Sequence, residues 1–155
     1  MIKLLKLLVI LFIAKASFSQ TASLGVQYSF PSYGLSAKFN PNDHHSIQLI
    51  YGALGIVSNF SGRYNYLFDE NDAIVPTKPY LYAQAGKWFY NQGILDESVF
   101  GYGVGAGLEF NYFFWGLFSD NLKSSIEIGY GDVDLFYYDF SYTTFGFGLH
   151  YEFGF

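Results

Sequence analysis

The side chains able to do chemistry in this chain are few and scattered. It has three histidines, thirteen carboxylates, eight basic side chains and no cysteine in 155 residues. Thiolate chemistry and disulfides are therefore excluded. His44, His45 and Ser46 follow Asp43, which supplies the residue types of a nucleophilic triad. They are immediate neighbours, however, and successive residues of a strand point to opposite faces. Asp69-Glu70-Asn71-Asp72 is rich in oxygen but lacks the glycine and the spaced final glutamate of an EF-hand loop, so it is expected to be a solvated acidic turn. Gly101, Gly103, Gly105 and Gly107 alternate with apolar residues and no helix follows them, so they are not a phosphate loop. No cofactor, metal or catalytic set is expected.

The other charged groups share a pattern rather than a motif. Lys38, Arg63, Lys123, Glu109, Glu127, Glu152 and His150 each fall on the polar side of an alternating segment. Unpaired buried charge is very costly, so opposite charges facing a narrow interior should pair. The expected outcome is a plug of ion pairs and hydrogen bonds. The sharper alternative is a gated path for an ion or small solute, or a proton-sensitive His150.

The elements that must position these groups are strands. The chain is 51% hydrophobic, 23% aromatic and 14% charged. That excludes disorder and sits poorly with a water-soluble enzyme, since ordinary domains carry about 25% charged residues. Past residue 14 no run approaches the ~18 apolar residues of a spanning helix. From Gln20 onward the pattern has a period of two. Phe100, Tyr102, Val104, Ala106, Leu108, Phe110 and Tyr112 alternate with glycines, Glu109 and Asn111. Phe145, Phe147, Leu149, Tyr151, Phe153 and Phe155 alternate with Gly146, Gly148, His150, Glu152 and Gly154. Similar segments start at Ser23, Tyr33, Ile47, Phe60 and Lys123. The phase of Pro79–Tyr90 is ambiguous. Placing Tyr80, Tyr82, Trp88 and Tyr90 on the apolar face leaves Gln84 misplaced and would send Lys87 inward. Eight strands result, separated by Pro31-Ser32, Asn40–Asp43, Val57-Ser58, Asp69–Lys78, Asn91–Ser98, Phe113–Asn121 and Asp132–Phe140.

Side-chain size decides which face is wet. The interior of an eight-stranded barrel is only just wide enough for side chains to fill. Phe and Tyr from every strand would not fit there, whereas Gly, Ser, Gln and Asn would. The bulky face is therefore expected outside, against lipid. Phe113, Phe114, Trp115 and Phe118, and Phe136, Tyr137, Tyr138 and Phe140, are expected in interfacial aromatic girdles.

The N-terminus carries an address. Lys3 and Lys6 precede the apolar run Leu7–Ala14, and Ser17-Phe18-Ser19 follows, in the order of a cleavable signal peptide. As a helix the run is roughly 12 Å long, far short of a ~30 Å hydrocarbon core. The expected organisation is residues 1–19 as signal peptide and 20–155 as one barrel domain. No cysteine follows to carry a lipid anchor. Losing Lys3, Lys6 and Lys15 makes the rest more acidic than the −5 of the full chain, which argues against nucleic acid as a partner.

Taken together, these features resemble the small eight-stranded outer-membrane barrels of the OmpA and OmpX type. The likeness rests on the signal-like Met1–Ser19, the eight alternating segments and the ending Tyr151-Glu152-Phe153-Gly154-Phe155. It implies an all-β, eight-stranded antiparallel up-and-down transmembrane β-barrel in the outer membrane of a diderm bacterium. It also implies that Tyr151, Phe153 and Phe155 form the signal read by the barrel-assembly machinery. Both chain ends would face the periplasm. Pro31-Ser32 and Val57-Ser58 would then be unusually short outer loops, and Asp69–Lys78 a long periplasmic turn. Asp132, Asp134 and Asp139 would lie in the last outer loop, where divalent cations bridging lipopolysaccharide phosphates would be met. The expected role is structural or interactive, as a monomer in contact with outer-membrane lipid and lipopolysaccharide. Alternatives are an enzyme modifying lipid A or phospholipid, and a soluble secreted barrel binding a hydrophobic ligand.

Overall fold

The computed structural model describes residues 21–54, 57–71, 76–92, 95–111, 121–135 and 138–154, with side chains omitted at some strand ends. The expected signal peptide, Phe155 and the cluster Phe113, Phe114, Trp115 and Phe118 lie outside the described residues. So do Phe136 and Tyr137, and the side chains of Tyr90, Asp134, Tyr138, Asp139 and Phe140.

Eight strands form, as the alternation predicts. They are β1 (Thr21–Ser29), β2 (Ser32–Asn42), β3 (His45–Leu54), β4 (Val57–Leu67), β5 (Thr77–Gln92), β6 (Leu95–Phe110), β7 (Leu122–Leu135) and β8 (Tyr138–Gly154). Each pairs antiparallel with the next, and β8 returns to β1, with Thr21 opposite Gly154, to close the barrel. Closure pairs the backbone of both outer strands, which lipid requires because it offers no hydrogen bonds. At the hairpin end lie the tight connections β1–β2, β3–β4, β5–β6 and β7–β8. At the terminal end lie the first residues of β1, the last of β8, the equally short β2–β3 connection and the longer β4–β5 and β6–β7 connections.

Most large apolar residues face outward and most small and polar ones inward. Leu35, Phe100 and Phe145 are 68%, 62% and 76% exposed, while Gln48, Asn59, Ser61 and Arg63 are buried. A soluble barrel would require the reverse. The outward surface nevertheless has limits. Carried around the tilted wall by the strand register, outward Ser58, Lys87, Asp132 and Thr143 fall at one level near the hairpin end. His45, Tyr66, Phe68, Tyr151 and Phe153 gather near the other end, with rings of the last two 5.0 Å apart. An apolar band flanked by polar and aromatic rims is the pattern of a spanning barrel.

Four sequence expectations are corrected. The phase of β5 is reversed: Tyr80, Tyr82 and Trp88 are buried inside with Gln84, while Leu81, Ala83, Ala85, Lys87 and Phe89 face out. Room explains it. Tyr80 lies over Gly107, Tyr82 over Gly105 and Gly129, and Trp88 over Gly101, so glycines of β6 and β7 clear the space these rings fill. Val57 and Ser58 are paired residues of β4, not a turn. Asn91–Ser98 and Asp132–Phe140 are largely strand too, since β5–β6 and β7–β8 run past the predicted loops. Ladder pairing of the backbone there outweighs the turn preference of Asn and Asp.

Two local features shape the hairpin end. Gly34 has φ of +128°, and a Cβ there would sit 2.1 Å from the Tyr51 carbonyl oxygen. Only glycine suits that backbone and that close approach. The second is the β1–β2 turn. It folds inward instead of standing above the rim, leaving Ser29 and Ser32 wholly buried.

Candidate functional site: the lumen

The lumen is filled in tiers. At the hairpin end the Phe30-Pro31 turn lies across the opening. The Trp88 indole donates to the Pro31 carbonyl at 2.6 Å, and the Gln84 amide donates to the carbonyls of Ser29 (3.2 Å) and Phe30 (3.1 Å). The same turn packs against Gly131 of β7. Carbonyls that a turn would leave open are thus satisfied from the opposite wall.

Below it Arg63 is the hub. Its Nη1 donates to Glu127 Oε1 at 2.6 Å, and its Nε and Nη2 donate to Gln84 Oε1 at 3.0 and 2.6 Å. The guanidinium lies 4.2 Å from the centroid of the Tyr82 ring, a cation–π arrangement. The Tyr80 hydroxyl donates to the same glutamate oxygen at 2.5 Å, and the hydroxyls of Tyr82 and Ser29 are 3.0 Å apart.

A tier of amide, hydroxyl and imidazole groups follows. Gln48 Nε2 donates to Ser36 at 2.7 Å and to Gln27 at 3.2 Å, and His150 Nε2 lies 2.9 Å from Ser36 Oγ. At the terminal end Lys38 pairs with Glu109, both buried. Past that pair a polar cavity of about 190 Å³ opens, lined by Asn40, Asp43, Glu70, Lys78, Lys123 and Glu152 among others. Lys123 donates to Asn111 Oδ1 at 2.7 Å.

The seven polar residues expected to face the lumen therefore divide. Arg63 meets Glu127 and Lys38 meets Glu109. His150 joins Ser36 and Gln48, not Glu152, and is buried inside the wall. Lys123 and Glu152 line the terminal mouth, half-buried. Lys87, which the assumed phase sent inward, is exposed on the outer wall. Tyr80, Tyr82, Gln84 and Trp88 were missed as lumen residues. Gln84, misplaced under the assumed phase, was the signal that could have found them. His44 and His45 sit at the terminal rim, His45 Nδ1 being 2.5 Å from the Tyr64 hydroxyl and His44 Nδ1 3.1 Å from the Leu67 carbonyl oxygen. Tyr151 and Phe153 face outward at the same end. Among the described residues no three His, Asp or Glu side chains are placed to hold a metal ion.

A closed antiparallel wall, apolar outside and hydrogen-bonded inside, defines the class: a transmembrane β-barrel. Its fold is that of the small eight-stranded outer-membrane barrels. The N-terminal β-barrel domain of Pseudomonas aeruginosa OprF superposes with a TM-score of 0.57 at 18% identity, covering 87% of this chain and 97% of that one. Neisserial surface protein A is similar at TM-score 0.49 and 15% identity, covering 88% and 95% of the two chains. No family model and no curated protein matches the sequence.

Proposed function

We propose that the protein is an outer-membrane barrel with a structural or surface-interaction role, its lumen closed to steady flow. The observation that carries this is the inward-folded Phe30-Pro31 turn, held by Trp88 and Gln84 above the Arg63–Glu127 pair. A solute entering from the hairpin end would have to displace that turn and then break a buried ion pair, whose separation is costly. The aromatic exterior makes the bilayer its solvent. The signal-like leader and the terminal Tyr151, Phe153 and Phe155 support delivery through the barrel-assembly machinery to a membrane containing lipopolysaccharide.

A catalytic role is not part of this reading, because His150 is enclosed and His44 and His45 are engaged at the terminal rim. The test is electrical. Purified protein in planar bilayers is expected to give no steady channel. Large, reproducible single-channel steps from the unaltered protein would overturn the closed-lumen reading. Lipid A extracted from cells with and without the gene is expected to have the same acyl pattern.

A further inference from the structure

We propose that Lys87 and the shallow notch beneath it form a lateral site for one phosphorylated lipid, with the phosphate on the ammonium and an acyl chain in the notch. The inference rests on the bilayer reading above. Lys87 stands exposed on the outer face of β5, opposite Phe60 of β4 and Phe100 of β6. Among the described residues it makes no ion pair or hydrogen bond. A lipid-facing cation is expensive at the bilayer midplane and nearly free at the interface. Lys87 shares its level with Ser58, Asp132 and Thr143, the polar outward residues that mark where the apolar band ends. Its flexible stem can carry the ammonium into the headgroup layer.

The wall below Lys87 is cut back. Ala85 and Ala83 follow on β5, with Gly62 of β4 opposite Ala85, and all three are exposed. A Cβ built on Gly62 would meet nothing within 4 Å. Phe60 and Tyr64 rise on one side of this strip, Tyr102 and Val104 on the other, each about half exposed. From Lys87 to Ala83 the strip runs about 13 Å at ~3.3 Å per residue, enough to seat much of an acyl chain. The feature thus pairs one positive charge, unshared among the described residues, with one apolar furrow leading away from it toward the membrane interior.

Charge selects the occupant. An ammonium with no partner among the described residues is complementary to a phosphate, and a charge-assisted contact of that kind is about twice as strong as a neutral one. Asp132 does not neutralise it by contact. It lies two strands away, accepting from the Tyr102 hydroxyl at 3.4 Å. The hairpin end is the end away from both outermost strand termini. In the orientation that the sequence resemblance implies, with both chain ends toward the periplasm, it faces the outer leaflet, where the phosphorylated lipid is lipid A.

The barrel is refolded in neutral detergent, mixed with lipid A, its dephosphorylated form or phosphatidylglycerol, and the bound lipid is counted by native mass spectrometry. The unaltered protein is expected to retain one lipid A. Lys87→Gln should lower retention about tenfold, the loss of one charge-assisted hydrogen bond. Gly62→Leu, which fills the notch and keeps the charge, should lower it too. Asp132→Asn should leave it unchanged or raise it. Heat-modifiable migration confirms that each variant is folded. Equal retention by Lys87→Gln, or of the dephosphorylated lipid, overturns the site. Preferential retention of phosphatidylglycerol overturns the choice of lipid A. Failure of the unaltered barrel to float with phosphatidylcholine vesicles overturns the bilayer reading itself, a separate result from loss of lipid A by a barrel that floats.

Discussion

Arg63 of β4 and Glu127 of β7 meet at 2.6 Å across the lumen, both side chains almost wholly shielded from solvent. Three steps around the wall separate their strands, so the pair ties opposite sides of the cylinder. Gln84 Oε1 accepts from the Arg63 Nε and Nη2, and the Tyr80 hydroxyl donates to the same Glu127 oxygen. Removing one partner strands the other charge, which typically costs about 3–5 kcal/mol. Arg63→Ala or Glu127→Ala should therefore move the urea unfolding midpoint in lipid vesicles sharply downward. The double replacement Arg63→Met with Glu127→Leu should recover much of the loss. Additive losses in the double variant would show that the two groups are not coupled.

Leu35 tests which face meets lipid. It is 68% exposed and sits near the middle of the apolar band. Leu35→Arg should destabilise the folded barrel in a bilayer by about 2–4 kcal/mol, the cost of a lipid-facing cation near the midplane. The same change near the hairpin rim, at Ser58, should cost about 0–1 kcal/mol. Equal midpoints for the two arginine variants would contradict a membrane boundary between these levels.

Gly129 tests the fit of β5 rings over neighbouring glycines. A Cβ at this position would lie 2.1 Å from the Tyr82 hydroxyl oxygen and 2.7 Å from the Val104 carbonyl oxygen. Gly129→Val is expected to prevent folding to the heat-modifiable form. Combining it with Tyr82→Ala should restore part of the folded fraction, because only the backbone clash remains. Gly62→Ala, with open space around the added methyl, should fold normally.

Trp88 tests the inward turn. Trp88→Phe removes the donor to the Pro31 carbonyl but keeps a ring, and the loss of one hydrogen bond is worth about 1 kcal/mol. Trp88→Ala also leaves a hole at the mouth, and substitutions of this kind cost about 3–5 kcal/mol. Brief openings should be more frequent in planar-bilayer recordings of Trp88→Ala than of Trp88→Phe. Identical, silent traces from both would mean that the tiers below keep the passage shut without the turn.

Strand count, closure and the outward direction of most large side chains were legible because they need only the period-two pattern and the narrowness of an eight-stranded cylinder. The pairs Lys38–Glu109 and Arg63–Glu127 followed from the rule that buried charges find partners, although which cation met which anion depended on register. What could not be seen from one strand was cross-strand volume. Tyr80, Tyr82 and Trp88 look like lipid-facing aromatics until the glycines of β6 and β7 are set beside them. The same glycines were visible as a regular row and were understood only as small inward residues, not as room made for a neighbour. The inward fold of Phe30-Pro31 was illegible for a related reason. Its carbonyl partners, Gln84 and Trp88, come from more than fifty positions away.

The seam between β1 and β8 has a consequence for how such a chain is made. Every other neighbour in the wall is a neighbour in sequence, so hairpins can zip as they emerge, but this joint unites the first strand with the last. Until Tyr151 and Phe153 arrive opposite Leu24 and Ala22, two raw margins remain, each able to capture a stranger's strand. Synthesis interrupted within β8 would thus yield an open, adhesive ribbon rather than a slightly shorter cylinder.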